Sequence, residues 1–418
     1  LTRLTKKIEG LQYHIEKCVR CGFCNSICPT SQITHFESYK ARGRIILLQA
    51  SFEGATNIDL KRYYELASLC LNCKQCLLIC PAKIPIPQII RRVKEAYRDE
   101  TLGKIHFISS NVPLLCKIGS AGRGLQRLSF TKNLLSIIQQ IAGFDKRRPL
   151  PSFQRDNISS FTRLVGNKAK RHVVFFAGCH ARWVEPYVGH ATAELLASLG
   201  VEVIAPKQEC CGFPLLGEGF LSLATKTIKK NTLILAEYIK KGFEIVTSCP
   251  TCSLTLKQEA KEYYNDVNTH LVAEHTYDLG EYIYEVLKSA PLVKVFNYPR
   301  LKIVYHQPCH LKAQKINSYL WNNLHAIPNL ELIELEEDTC CGMAGMFGRK
   351  NYEVSLKVGL QLFKQILQAK PDLVVTECPA CREQISYATG IKSVHPVIFF
   401  TLSLEKNAIA TFTTICSR

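Results

Sequence analysis

No apolar run in this sequence reaches the ~18 residues that a membrane-spanning helix needs, so any membrane contact is expected to be peripheral. The opening residues hold no h-region, which argues against export. Flavin and nicotinamide fingerprints are missing too. The glycines of AGRGL, Gly122 and Gly124, follow no strand and form no dinucleotide loop. Without one, the chain has no group of its own that takes a hydride from carbon. Helix-turn-helix, RNA-binding and finger patterns are likewise absent, although a net charge of +18 would first suggest nucleic acid. An acidic partner subunit or the anionic face of a membrane fits that charge better.

Cysteine, by contrast, is abundant, with 20 in 418 residues. A short secreted chain would use them as disulfides, but eighteen of these fall into metal-type groupings. The expected compartment is therefore the reducing cytoplasm, with any contact at the inner face of the cell membrane peripheral. Cys116 and Cys416 are left over and read as ordinary free thiols. At 47% hydrophobic, the chain can bury a large core, and its length divides into domains of about 100 to 200 residues.

Two cysteine runs share one pattern. Cys18, Cys21, Cys24 and Cys28 precede Pro29 in KCVRCGFCNSICP, and Cys70, Cys73, Cys76 and Cys80 precede Pro81 in LCLNCKQCLLICP. This spacing wraps a [4Fe-4S] cube, and where two runs are paired the fourth cysteine of each ligates the other cluster. The expected sets are Cys18, Cys21, Cys24 with Cys80, and Cys70, Cys73, Cys76 with Cys28. Zinc or a degraded site is the alternative. Residues 1–17 alternate in charge and read as a short solvated helix. Helical stretches, RGRIILLQASFEG and DLKRYYELASLC, separate the runs without strand signals, and amphipathic KIPIPQIIRRVKEAYRDE closes a first domain, 1–100.

From 101 to 170 the text turns basic, with thirteen Lys and Arg to Arg171 against Asp145 and Asp156. A helical hairpin with a solvated basic face fits this segment, and so does an element docking on a membrane surface or partner.

The remainder is an internal duplication. Cys179, Cys210 and Cys211 recur 130 residues later at Cys309, Cys340 and Cys341; Cys249 and Cys252 recur 129 later at Cys378 and Cys381. Each copy, 171–290 and 291–418, repeats strand, helix, strand, CCG, helix, strand and CxxC. Alternating strands and helices predict parallel βαβ units, with the cysteines at the carboxyl ends of strands, where open α/β sheets place their sites. A cube needs four protein ligands, yet each copy offers five. Gly212 and Gly342 would let the backbone approach a metal closely. Zinc, an ordinary cube using four of the five, and a redox-active vicinal disulfide remain alternatives. His180 and His310, each following the first cysteine of its pentad, read as hydrogen-bonding supports rather than ligands. His306 and His395 read as structural.

This layout of two ferredoxin runs and two CCG units, over essentially the whole chain, resembles the iron-sulfur subunits of anaerobic glycerol-3-phosphate dehydrogenase and glycolate oxidase. The CCG units are also similar to those of the heterodisulfide reductase catalytic subunit. The resemblance implies an α-helical ferredoxin domain before the CCG units, and a noncubane [4Fe-4S] cluster in each pentad beside the two cubes. It further implies electron transfer towards quinone from a partner subunit whose FAD oxidises glycolate, lactate or glycerol 3-phosphate. Disulfide reduction at a CCG cluster is the rival activity.

Overall fold

The computed structural model describes residues 3–101, 139, 143–154, 158, 163–164, 169–288, 299–336 and 339–402. Cys116 and Cys416 lie outside these, as does most of the basic segment. The part of it at 143–154 runs over the second cysteine-rich copy: Arg148 is buried and its guanidinium reaches Met343 Sδ at 3.0 Å.

The first hundred residues are helical. Arg3–Lys7, Glu9–Leu11 and Gln12–Glu16 form three short turns in place of the single solvated helix expected. Leu4, Ile8 and Ile15 are buried, so this segment helps build the core that its surface charges conceal. Helix α1 (Ala41–Phe52) and α2 (Leu60–Ser68) lie between the two cysteine runs, and α3 (Ile86–Thr101) follows the second. The Asp59 carboxylate caps α2 by accepting from Arg62 N–H at 2.8 Å, satisfying one of the free donors of its first turn. Ile45, Leu48, Tyr63, Ala67, Ile89 and Ile90 close one apolar core with the ferredoxin cysteines at its edge.

Two sheets follow. Strands β1 (Arg163–Leu164), β2 (Arg171–Phe175), β3 (Val201–Ile204), β4 (Glu244–Thr247) and β5 (Thr276–Asp278) assemble in the order β1-β3-β2-β4-β5. Helix α4 (Pro186–Ser198) joins β2 to β3, and α5 (Leu221–Ile239) leads to β4. The second sheet comprises β6 (Leu301–Tyr305), β7 (Leu330–Ile333), β8 (Leu373–Val375) and β9 (Ser393–Val394), in the order β7-β6-β8-β9. Helix α6 (Tyr352–Ala369) precedes β8, and α7 (Pro379–Thr389) follows it. The four strands of each copy pair in parallel, as the alternating pattern predicts. One difference is β1, an antiparallel edge on β3 that lies within the basic 101–170 segment read as a helical hairpin or docking element. Others are β5 and β9, too short to leave a period in the sequence.

The copies bury one face of each sheet together. Val173, Phe175 and Val203 share a core with Ile303, Tyr305 and Val375, so the duplicated halves close a common interior. The opposite faces have separate cores, and these contain cysteines: Cys211 and Cys252 in the first copy, Cys341, Cys378 and Cys381 in the second. Among the described residues no helix is long and apolar enough to cross a membrane.

Candidate metal centres

Within the ferredoxin runs, the loops wrap inward through alternating left-handed residues. Arg20 and Gly22 have φ of 58° and 87°, and Asn72 and Lys74 repeat this at 56° and 61°. Such alternation turns successive backbone N–H groups to one side, making a concavity suited to an anionic group. Cys18, Cys21 and Cys24 line one cavity together with Cys80 of the other run, beside Ile45 and Arg42. Burial pushes the Cys24 thiol up to about 12, and the charges of Cys18, Cys80, Cys28 and Cys21 add to it. Cys73 is likewise pushed up to about 12 by burial, with Cys28 and Cys70 contributing; Cys76 is raised by burial and then by Cys73, Cys70 and Cys28. The cavity thus brings Cys80 of the second run to Cys18, Cys21 and Cys24, the first of the two expected sets.

Each pentad gathers at the carboxyl ends of three neighbouring parallel strands. Cys179 follows β2, Cys210 and Cys211 follow β3, and Cys249 and Cys252 follow β4. In the second copy Cys309, Cys340 with Cys341, and Cys378 with Cys381 follow β6, β7 and β8. Cys179 and Cys210 sulfurs are 3.8 Å apart, and those of Cys341 and Cys381 are 3.1 Å apart. A Cβ on Gly178 would lie 2.9 Å from Cys252 Sγ, so only glycine leaves the sulfur room there. Within the adjacent pairs, hydrogen bonds from Cys179 and Cys211 hold Cys210 well down while Cys211 is driven up; in the second copy Cys341 is held down and Cys340 driven up.

This chemistry fits iron–sulfur binding. Several thiols buried together repel one another as thiolates, and soft divalent or cluster iron supplies the positive charge that lets them ionise. All eighteen are free thiols in this structure.

The sites are joined by buried polar contacts. Gln75 Nε2 donates to Cys309 O at 2.9 Å, linking the second ferredoxin run to the second pentad. Burial raises the Cys309 thiol, with the Cys73 charge the next contribution. His310 sits between Thr251 of the first copy and Asn72 O of the ferredoxin part, at 2.9 and 3.3 Å. His180 Nδ1 lies 3.1 Å from Glu185, whose carboxylate pairs with Arg382, the residue after Cys381. His310 is thus hydrogen-bonded to two other parts of the chain, while His180 Nδ1 faces the Glu185 carboxylate as an ion pair without a hydrogen bond. His395 is structural, with Nε2 3.0 Å from Ser248 O and Nδ1 accepting from Val397 N–H. His306 departs from expectation: its ring nitrogen and the sulfurs of Cys341 and Cys381 all lie within 4.8 Å of one another. A lone histidine carries no spacing signal, but comparison of the two copies exposes it, since Phe176 stands at the duplicated position.

A helical dicluster part joined to two sheets with cysteine pentads at their strand ends defines a multi-centre iron–sulfur protein. Residues 14–84 match the 4Fe-4S dicluster domain, and residues 173–257 and 303–386 each match the cysteine-rich domain. The chain is 30% identical to a subunit of the anaerobic glycerol-3-phosphate dehydrogenase of Escherichia coli K12, over 93% of its own length and 98% of the relative's. It is 25% identical to the glycolate oxidase iron-sulfur subunit of that organism, over 94% and 95%. Identity to a subunit of the dihydromethanophenazine:CoB–CoM heterodisulfide reductase of Methanosarcina barkeri is 23%, over 91% of each chain. The chain belongs to this family of iron–sulfur electron-transfer subunits.

Proposed function

We propose that this chain carries electrons from a partner flavoprotein, whose FAD oxidises glycolate, lactate or glycerol 3-phosphate, towards the quinone pool. Iron–sulfur clusters held by the eighteen cysteines would each exchange one electron at a time. The chain's own residues hold the sites together. The observation that carries this reading is the hydrogen bond from Gln75 Nε2, inside the second ferredoxin run, to Cys309 O at 2.9 Å, with Leu71 and Cys340 in one apolar cluster beside it. Electron transfer between centres needs such proximity, whereas independent structural metal sites do not. The 30% identity to a dehydrogenase subunit favours a dehydrogenase complex. Affinity isolation of the full chain under anaerobic conditions tests it. A flavoprotein should co-purify, and its flavin, once reduced by one of these substrates, should be reoxidised by a quinone analogue. Isolation with no flavoprotein would remove the reading.

The completeness of both pentads also supports a second reading, in which a pentad site cleaves a disulfide of two small thiols. Disulfide turnover with reduced viologen by the isolated, iron-loaded chain would favour it. Zinc is separated from both by acid-labile sulfide, which zinc sites do not contain.

A further inference from the structure

The duplication aligns Phe176 with His306, 130 positions on. The backbone agrees: Phe176 N–H donates to Val246 O at 2.8 Å, and His306 N–H to Val375 O at 3.0 Å. Both side chains are buried, and each enters the same place in its copy. Phe176 belongs to one packed cluster with Cys211 and Cys252. His306 meets the corresponding cysteines, Cys341 and Cys381, with a ring nitrogen and both sulfurs within 4.8 Å of one another. A phenyl ring offers a sulfur no N–H, and an imidazole does. The two pentads thus match in sulfur and differ in what faces it.

We propose that His306 donates a hydrogen bond to the Cys341 sulfur and thereby holds the second cysteine site at a higher reduction potential than the first, where Phe176 stands. This rests on the reading of both pentads as iron–sulfur sites. Hydrogen bonds to the sulfurs stabilise the more negative, reduced state and so raise the potential. His306 acts through Cys341 and is a positioning residue. Because Gln75 of the second ferredoxin run donates to Cys309 O at 2.9 Å, the pentad set to the higher potential is also one that adjoins the ferredoxin part. Electrons arriving from there would be drawn into it.

The test is an anaerobic redox titration of the full chain followed by paramagnetic resonance, with iron and acid-labile sulfide measured on every sample. His306→Phe, which copies the first site, should lower one midpoint and leave the others in place at unchanged iron content. His306→Gln, which keeps an N–H donor, should retain most of the wild-type value. Unmutated protein grown with 15N-histidine should show a weak histidine nitrogen coupling on a reduced centre, and His306→Phe should lose it. A His306→Phe protein with full iron and no shifted midpoint would overturn the proposal. So would the absence of any histidine coupling in the iron-loaded wild type, a measurement that needs no variant to fold. A coupling as strong as that of metal-bound imidazole would overturn it as well, by making His306 a ligand. Iron and sulfide content unaffected by Cys309→Ser combined with Cys340→Ser would instead overturn the cluster reading on which it stands.

Discussion

His310 Nδ1 lies 2.9 Å from Thr251 Oγ1, so the residue after the leading cysteine of one pentad is bonded to a residue inside the Cys-Pro-Thr-Cys turn of the other. The ring's second nitrogen faces Asn72 O at 3.3 Å, and burial pushes the imidazole down to about 4, so it is neutral at any working pH. A carbonyl only accepts; hence Nε2 carries the hydrogen and Nδ1 accepts from the Thr251 hydroxyl. Three parts of the chain meet on one neutral ring.

Replacing Thr251 by Val keeps the shape and removes that donor, leaving Nδ1 buried without its partner. A cost of about 1–3 kcal/mol is expected. A lowered anaerobic thermal midpoint checks it.

Glu259 is fully buried between Lys74, at 2.7 Å, and Arg91, both also buried. Arg91 further bonds Asn72 Oδ1 at 3.0 Å, so this cluster holds the Cys73 loop against the first copy. Glu259→Gln would strand two buried cations at a cost of about 3–5 kcal/mol. Burial works to raise the Glu259 pKa, but the charges of Arg91 and Lys74 outweigh it and hold the carboxyl at about 2. Because the folded value is below the unfolded one of about 4.3, the contribution is complete above that pH and fades as pH falls towards 2. The stability gap between wild type and Glu259→Gln should therefore be constant near neutrality and narrow below about pH 4.3, measured by urea unfolding across that range.

Spacing made the cysteine sites legible, because a metal centre fixes the interval between its ligands and the interval survives in the sequence. The β2–β4 and β6–β8 strands were legible for a similar reason, their β-branched runs ending on those cysteines. Illegible were contacts with no period: Arg382 with Glu185, 197 residues apart, and Glu259 with Lys74. Leu4, Ile8 and Ile15 were hidden by the charges between them, and β9 is only two residues long. His306 could have been found, but only by asking what its counterpart was in the other copy.

The two CCG glycines have similar backbones and unlike surroundings. Gly212 has φ 93° and a Cβ there would meet nothing nearer than Ile228 Cγ1 at 3.4 Å. Gly342 has φ 82°, and its Cβ would fall 2.1 Å from Ser355 O. Left-handed backbone costs a non-glycine residue roughly 1–2 kcal/mol, so Gly212→Ala should lose about that and keep its iron. Gly342→Ala must in addition displace a backbone carbonyl of α6, and should lose iron from the second site. Iron per chain and the thermal midpoint separate the two variants.

Cys73 lies at the junction of the ferredoxin part and the second pentad, and its thiol is raised by burial as a member of the group with Cys28 and Cys70. Its charge is also felt by Cys309 and Cys340. On the proposed electron-carrying reading, Cys73→Ala removes one donor of the second ferredoxin set while leaving the pentads' own cysteines and the flavin of the proposed partner untouched. In the assembled complex, electron flow from substrate to quinone should be abolished, and reduction of an artificial dye at the partner's flavin should persist largely intact. The contrast matters more than either activity alone. If the chain conducts, its interruption spares the chemistry upstream; if substrate were oxidised on this chain, both activities would fall together. Parallel assays of quinone and dye reduction on the same preparation, with iron content to show the loss of a single cluster, make the distinction.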